Sequence, residues 1–261
     1  LERDPRFSNP TPEFQQVLVR KWLLSLGRTL WPELLQNPNH SKATAEGMLV
    51  LSGKRQGIGK SSFGVRLLPE EWQHLYVSPS SPRFSSKFGQ DRDYKLITGP
   101  RLIVDYDEVE RVLKLNDEAD IKAELTAPFD YYRAPYDRAA KNHPRLYSTL
   151  ASTNKTDLAI PLEGARRFWW LNVANVDTRL LDRIDRYKLW AQIKYELSIY
   201  SPHQAPSLLS PEERNYLMSY VTDHRSLSSN SLTLLDIYDF SPSGIADLLS
   251  RCSQYNSSTL R

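Results

Sequence analysis

Four of the ten glycines in this 261-residue chain, Gly53, Gly57, Gly59 and Gly64, fall within twelve residues. Glycine is found where the backbone takes φ > 0 or comes close to a ligand or another chain segment. Ahead of the cluster, Met48-Leu49-Val50-Leu51 reads as a short buried strand; behind it, Ser61 to Leu68 reads as a helix ended by Pro69. A strand, a glycine-rich loop and a helix in that order form a phosphate cradle, in which main-chain amides turn toward anionic oxygens. Gly57, Ile58, Gly59, Lys60, Ser61 and Ser62 are therefore the expected triphosphate contacts. Lys60 would reach the β- and γ-phosphates and the Ser61 hydroxyl would ligate Mg²⁺, so ATP and Mg²⁺ are the expected cofactors. The strict spacing asks for glycine where Lys54 stands; Gly53 is one place early, and the first turn of the loop departs from the usual form.

Such a loop needs a carboxylate on a neighbouring strand to hold the metal. Leu102-Ile103-Val104-Asp105 offers one at a strand's carboxyl end, where ligands gather in open α/β sheets. Asp105 is the expected metal ligand beside Ser61, and Glu108 the expected residue to polarise water, a task Asp107 could share. In the common arrangement the second acid follows the first directly, and Tyr106 holds that place here. The alternative is a set of surface acids, Asp105 to Glu110, opening a helix whose dipole they favour.

The rest of the chain frames this centre. Helical spacing of Phe14, Val17, Leu18, Trp22 and Leu26 predicts a helix over 13–28. Residues 78–100 read as surface loop, 108–125 as a charged helix, 129–144 as a hairpin or ordered loop, and 146–152 and 168–173 as strands. An amphipathic helix is predicted over 185–200, and Ser210-Pro211-Glu212-Glu213 is a capping box that starts another. The organisation expected is an N-terminal helical region over 1–47, a P-loop core over 48–200, and a C-terminal helical segment and tail over 201–261. With 34 Lys and Arg against 31 Asp and Glu the net charge is +3, which excludes a histone-like tail but not a local basic track. A single cysteine, Cys252, excludes a disulfide scaffold or cysteine zinc cage and fits a reducing cytoplasm. No apolar run approaches a membrane span and no signal peptide opens the chain, so an intracellular protein is expected; starting at Leu1, it reads as a piece of something longer.

Gln56-Gly57-Ile58-Gly59-Lys60-Ser61 resembles the phosphate loop of the virulence-associated protein E family, phage- and island-encoded ATPases related to superfamily 3 helicases. Leu102 to Glu108 is similar to the family's apolar run ending in acid-x-x-Glu, with Asp105 where glutamate is usual. Tyr132-Arg133-Ala134-Pro135-Tyr136-Asp137-Arg138 is similar to its Arg-x-Pro-Tyr-x-Arg element. Ser152-Thr153-Asn154 resembles its sensor asparagine, and Gly164-Ala165-Arg166-Arg167-Phe168-Trp169 its Gly-Asn-Arg-Arg-Phe-Trp element, with Ala165 for asparagine. The resemblance runs from about residue 14 to 220. It implies an α/β fold of the P-loop NTPase, AAA+-related type. It implies that Asn154 contacts the γ-phosphate and water, and that Arg166 or Arg167 is a finger stabilising phosphoryl transfer, in cis or in trans. It also implies a ring, six-membered by analogy.

Seven Lys and Arg against three acids between residues 131 and 167 make a local charge of +4, interleaved with Tyr131, Tyr132, Tyr136 and His143. Basic groups beside aromatic faces suit single-stranded DNA. Relatives of the superfamily 3 type carry a basic hairpin tip here, which makes Arg138, Lys141 and His143 the candidate DNA contacts. The function expected is a Mg²⁺-dependent ATPase coupled to DNA binding or translocation, helicase-like, in replication of a phage or mobile element. Two alternatives use the same loop: a monomeric nucleotide or polynucleotide kinase, and an ATP-gated interaction module with little turnover.

Overall fold

The computed structural model describes residues 11–35, 47–78, 92–110, 113, 118–155, 165–173, 175–200 and 207–223. His40, Gly164, His203, His224 and Cys252 lie outside the described residues.

Helix α1 (Pro12–Leu30) starts with proline in its first turn, and its cap residue Thr11 accepts the Phe14 amide. Strand β1 (Met48–Ser52) is buried along its whole length and leads through the glycine loop into α2 (Lys60–Arg66). Then come β2 (Tyr76–Val77), α3 (Arg92–Thr98), β3 (Ile103–Tyr106), α4 (Glu118–Thr126), the strands β4 (Phe129–Tyr132) and β5 (Lys141–Pro144), and β6 (Ser148–Thr153). Strand β7 (Phe168–Asn172) precedes α5 (Thr178–Arg183), α6 (Arg186–Ile199) and α7 (Pro211–Asp223). Sequence patterning does not announce β2, which is only two residues long, nor α3 and α5, short helices in which polar residues outnumber apolar ones.

Five strands form one sheet in the order β2-β3-β6-β1-β7, and every pairing is parallel. Parallel sheets are covered on both faces, which is why β1 and β6 are buried throughout instead of alternating. Strands β4 and β5 make a separate antiparallel hairpin. The order, with the glycine loop leaving the carboxyl end of a central strand, is an α/β P-loop NTPase core. Helix α1 buries Leu18, Trp22 and Leu26, and the Trp22 indole donates to the Thr149 carbonyl of β6 at 2.9 Å. Helix α6 packs on α1, and Leu217 of α7 is buried in the same core. The predicted capping box of α7 forms: Ser210 Oγ accepts the Glu213 amide and Glu213 accepts the Ser210 amide. Among the described residues no helix is long and apolar enough to cross a membrane.

Candidate active site

The glycine loop closes over the carboxyl ends of β1 and β6, forming a cleft of about 230 Å³ lined by residues 56–62, Asp107, Glu108 and 152–154. Two of its glycines have positive φ, 75° at Gly57 and 91° at Gly59. At Gly59 a side chain is excluded twice over, because a Cβ would also stand 2.9 Å from Thr178 Cγ2 and 3.0 Å from the Val176 carbonyl. Gly59 is the cap residue of α2 and brings no side-chain acceptor; its carbonyl takes the Ser62 amide at 3.1 Å. Gly53 serves a different purpose: a Cβ there would lie 2.4 Å from the Val173 carbonyl at the end of β7. Close packing of neighbouring strand ends, not the loop's turn, accounts for glycine one place early.

Lys60 is almost wholly buried and its ammonium donates to three oxygens: the Gly53 and Arg55 carbonyls at 3.0 Å each and Asn154 Oδ1 at 2.9 Å. Burial lowers the lysine pKa, and the carboxylates of Asp107 and Glu110 oppose that effect. Asn154 stands exposed just past the end of β6, so β1, β6 and the loop together fix the lysine over the cleft.

The acids sort themselves by the alternation of β3. Asp105 on β3 and Asp107, one residue past the strand's end, both meet the side of Tyr76 and Ser61, whereas Tyr106 bonds Glu124 on the other. Asp107, at the rim, lies 3.2 Å from Ser61 Oγ and also accepts from Ser152 Oγ. Asp105, one pleat deeper, is buried beneath α2; Tyr76 donates to its Oδ2 at 2.7 Å, and its Oδ1 has no hydrogen-bond partner. The structure thus seats the expected metal acid, Asp105, outside the lining of the cleft and brings Asp107 to Ser61 in its place. Burial raises the Asp105 pKa to about 7, with Tyr76 opposing and Asp107 adding to the rise. Glu108 is exposed at the cleft with φ 55°, a left-handed backbone that few residues other than glycine adopt. Thr153 donates to Glu110 at 2.7 Å behind it.

Sequence offered Asp107 as an acid that could polarise water, not as the partner of Ser61, and Ser152 and Thr153 only within the sensor element; Tyr76 was not singled out. The adjacent pair Asp107-Glu108 was the available signal, obscured because Asp105 closes the apolar run two residues earlier. Ser61 and Asp107 present hard oxygen donors in the cleft that Lys60 also lines, a set that suits Mg²⁺ held together with phosphate oxygens. Among the described residues no cluster of three His, Cys, Asp or Glu forms a metal cage.

Arg166 and Arg167 are not part of this cleft. They precede β7, which runs parallel to β1 with Met48 beside Phe168 and Ser52 beside Asn172. Both therefore lie at the opposite end of the sheet from the glycine loop, a strand of five residues, roughly 16 Å, away. Arg166 is exposed and Arg167 buried; together with Arg214, Thr126 and Leu209 they line a second cleft of about 110 Å³.

The expected DNA contacts also separate. Arg138 is exposed near the hairpin tip. Lys141 is held 3.0 Å from Asp137, and His143 stacks on Tyr132 with ring centroids 3.9 Å apart. Arg145, counted in the basic track, is buried and fully engaged at the hairpin's root, where it pairs with Asp130 and Glu124.

A sequence profile of the virulence-associated protein E-like domain matches residues 7–226. The chain belongs to that family. The match takes in every element from α1 to α7. Among solved structures, two apo A-form structures of the NrS-1 C-terminal region are similar to this virulence-associated protein E-like chain. They share 14% and 15% identity, with TM-scores of 0.39 and 0.36, over 80% and 81% of this chain. The chain spans about half the length of each, 50% and 51%. No curated protein matches it.

Proposed function

We propose that this protein is a Mg²⁺-dependent ATPase whose hydrolysis is coupled to binding or moving along DNA, helicase-like, in the replication of a phage or mobile element. The observation that carries the reading is that Lys60, bonded to Asn154, and the Ser61–Asp107 pair line one glycine-rich cleft. In this reading the Lys60 ammonium exchanges the Gly53 and Arg55 carbonyls for phosphate oxygens. Asn154, whose amide both donates and accepts, is released to orient water and the terminal phosphate. Ser61 and Asp107 would hold Mg²⁺, which would neutralise charge on the phosphates when bound. Glu108, aimed into the cleft by its left-handed backbone, takes the proton from the attacking water. Arg166 lies too far off to act on its own cleft and serves a neighbouring subunit's site in a ring, a step that rests on analogy with superfamily 3 helicases.

The test is ATP binding and hydrolysis, with and without single-stranded DNA, for the parent protein and two variants. Lys60→Ala should lose ATP binding. Asp107→Asn should retain binding but lose Mg²⁺-dependent turnover by two orders of magnitude or more, as for removal of a charge-stabilising group in a closed site. ATP bound equally well by Lys60→Ala sinks the phosphate-loop reading. Phosphate delivered to a small acceptor in place of water replaces the motor with a kinase.

A further inference from the structure

The tip of the β4–β5 hairpin is built against the local preferences of the backbone. The Asp137 amide donates to the Ala134 carbonyl at 3.1 Å, closing a four-residue turn with Pro135 second and Tyr136 third. Tyr136 has φ 68°. Proline second and positive φ third is the type II pattern, and its third place belongs to glycine. For a bulky aromatic residue this is a true outlier. The ring gains nothing from it inside the chain, because Tyr136 is fully exposed, at 105% of the reference value. Strain held at an exposed side chain points outward, to a partner.

The surroundings define that partner. Arg133 and Arg138 flank the turn, both exposed, and neither has a hydrogen bond or ion pair with another described residue. Along β4 the outward face carries Phe129 and Tyr131, also exposed, while Asp130 between them faces inward. The nearest acid, Asp137, is neutralised by Lys141. An exposed arginine without a described partner on each side of an exposed aromatic ring matches a chain that alternates phosphates with flat bases.

We propose that Tyr136 is a base-stacking platform for single-stranded nucleic acid, with Arg133 and Arg138 taking the phosphates on either side. This deepens the DNA reading above and rests on it. The hairpin then grips bases as well as backbone, and Lys141 and His143 shape the tip instead of touching the strand.

The test uses the whole chain and two oligonucleotides of equal length, oligo-dT and its abasic counterpart, followed by fluorescence anisotropy. The parent should bind oligo-dT more tightly than the abasic strand by on the order of tenfold, the usual worth of one stacked base. Tyr136→Gly should lose that margin and melt no lower than the parent, since glycine takes the turn's φ without strain. Tyr136→Trp should keep the margin. Arg133→Ala and Arg138→Ala should each reduce the slope of log affinity against log salt by about 0.7, a slope Tyr136→Gly leaves alone. Equal binding of the two strands by the parent, or parent-like oligo-dT affinity in Tyr136→Gly, overturns the stacking role while leaving DNA binding standing. A lower melting temperature for Tyr136→Gly overturns it too, by assigning the ring to the fold. Loss of self-association in Tyr136→Gly with unchanged DNA affinity makes the face an interface between copies. Failure of the parent to bind either strand removes the DNA reading itself.

Discussion

Asp105 carries the clearest pH signature in the molecule. Its carboxyl is buried, receives one hydrogen bond from Tyr76 and lies near the Asp107 carboxylate, so its pKa stands at about 7 against an ordinary 3.8. The folded state therefore keeps a proton that the unfolded state releases. Stability from this group is complete below about pH 4 and is lost as pH rises through 7, up to about 4 kcal/mol across that window. Asp105→Asn mimics the protonated carboxyl. Urea unfolding in EDTA should show the variant matching the parent near pH 4.5, exceeding it at pH 8, and nearly flat between. A parent curve that rises from pH 5 to 8 would contradict this account. The same residue marks the limit of sequence reading at this site. Period-two alternation places Asp105 and Asp107 on one face, but only the packing of Tyr76 and α2 over the deeper position decides which carboxylate meets solvent and Ser61.

At the scale of elements, the hairpin is joined to the sheet by a buried polar network that no motif announced. Glu124 of α4 accepts the hydroxyls of Tyr94, Tyr106 and Tyr147 at 2.8, 3.1 and 2.7 Å. Arg145, just beyond β5, forks onto both oxygens of Asp130, donates to the Glu124 carbonyl, and lies over the Tyr147 ring. Tyr106 ends β3 between Asp105 and Asp107, so this network ties the hairpin's root to the strand end that carries the site's acids. Removing Arg145 leaves Glu124 buried without a cation and Asp130 with only Lys95, 3.8 Å away. Arg145→Ala should cost roughly 3–5 kcal/mol in urea unfolding. Arg145→Lys should recover only part of it, because a single ammonium cannot reproduce the fork. A loss within 1 kcal/mol for Arg145→Ala would mean the network is not holding the hairpin. In sequence Arg145 looks like the other basic residues of 131–167; its partners Glu124 and Asp130 are 21 and 15 positions away, a separation composition cannot bridge. Elements with a strong local signal were legible: β1 with its glycine loop, the capped α7 and the apolar β7. Helix α3 was not, because its buried Tyr94 and Thr98 give no helical stripe to read.

For the whole molecule, the parallel register of β1 and β7 has a consequence for assembly. The glycine loop leaves the carboxyl end of β1, whereas Arg166 enters the amino end of β7, and the two strands run side by side over five residue pairs. An arginine side chain cannot span that length back to its own cleft, so a transition-state role for Arg166 requires a second copy of the chain. Resemblance at the level of motifs could suggest an arginine finger but not its direction, since direction follows from which end of the sheet each motif occupies. The prediction is complementation. Lys60→Ala removes the cleft and keeps the arginine; Arg166→Ala keeps the cleft and removes the arginine. Each alone should hydrolyse ATP at a small fraction of the parent rate, the Arg166 variant lower by about 10³-fold or more if it behaves as fingers of this kind do. Mixed in equal amounts under conditions of self-assembly, they should regain activity, because some interfaces then pair an intact cleft with an intact arginine. Steady-state phosphate release from the mixture, compared with the sum of the two separate rates, is the measurement. A mixture no better than that sum, from protein shown by mass to co-assemble, would mean that Arg166 takes no part in a shared site and that the second arginine cleft beside Arg167 and Arg214 serves the fold alone.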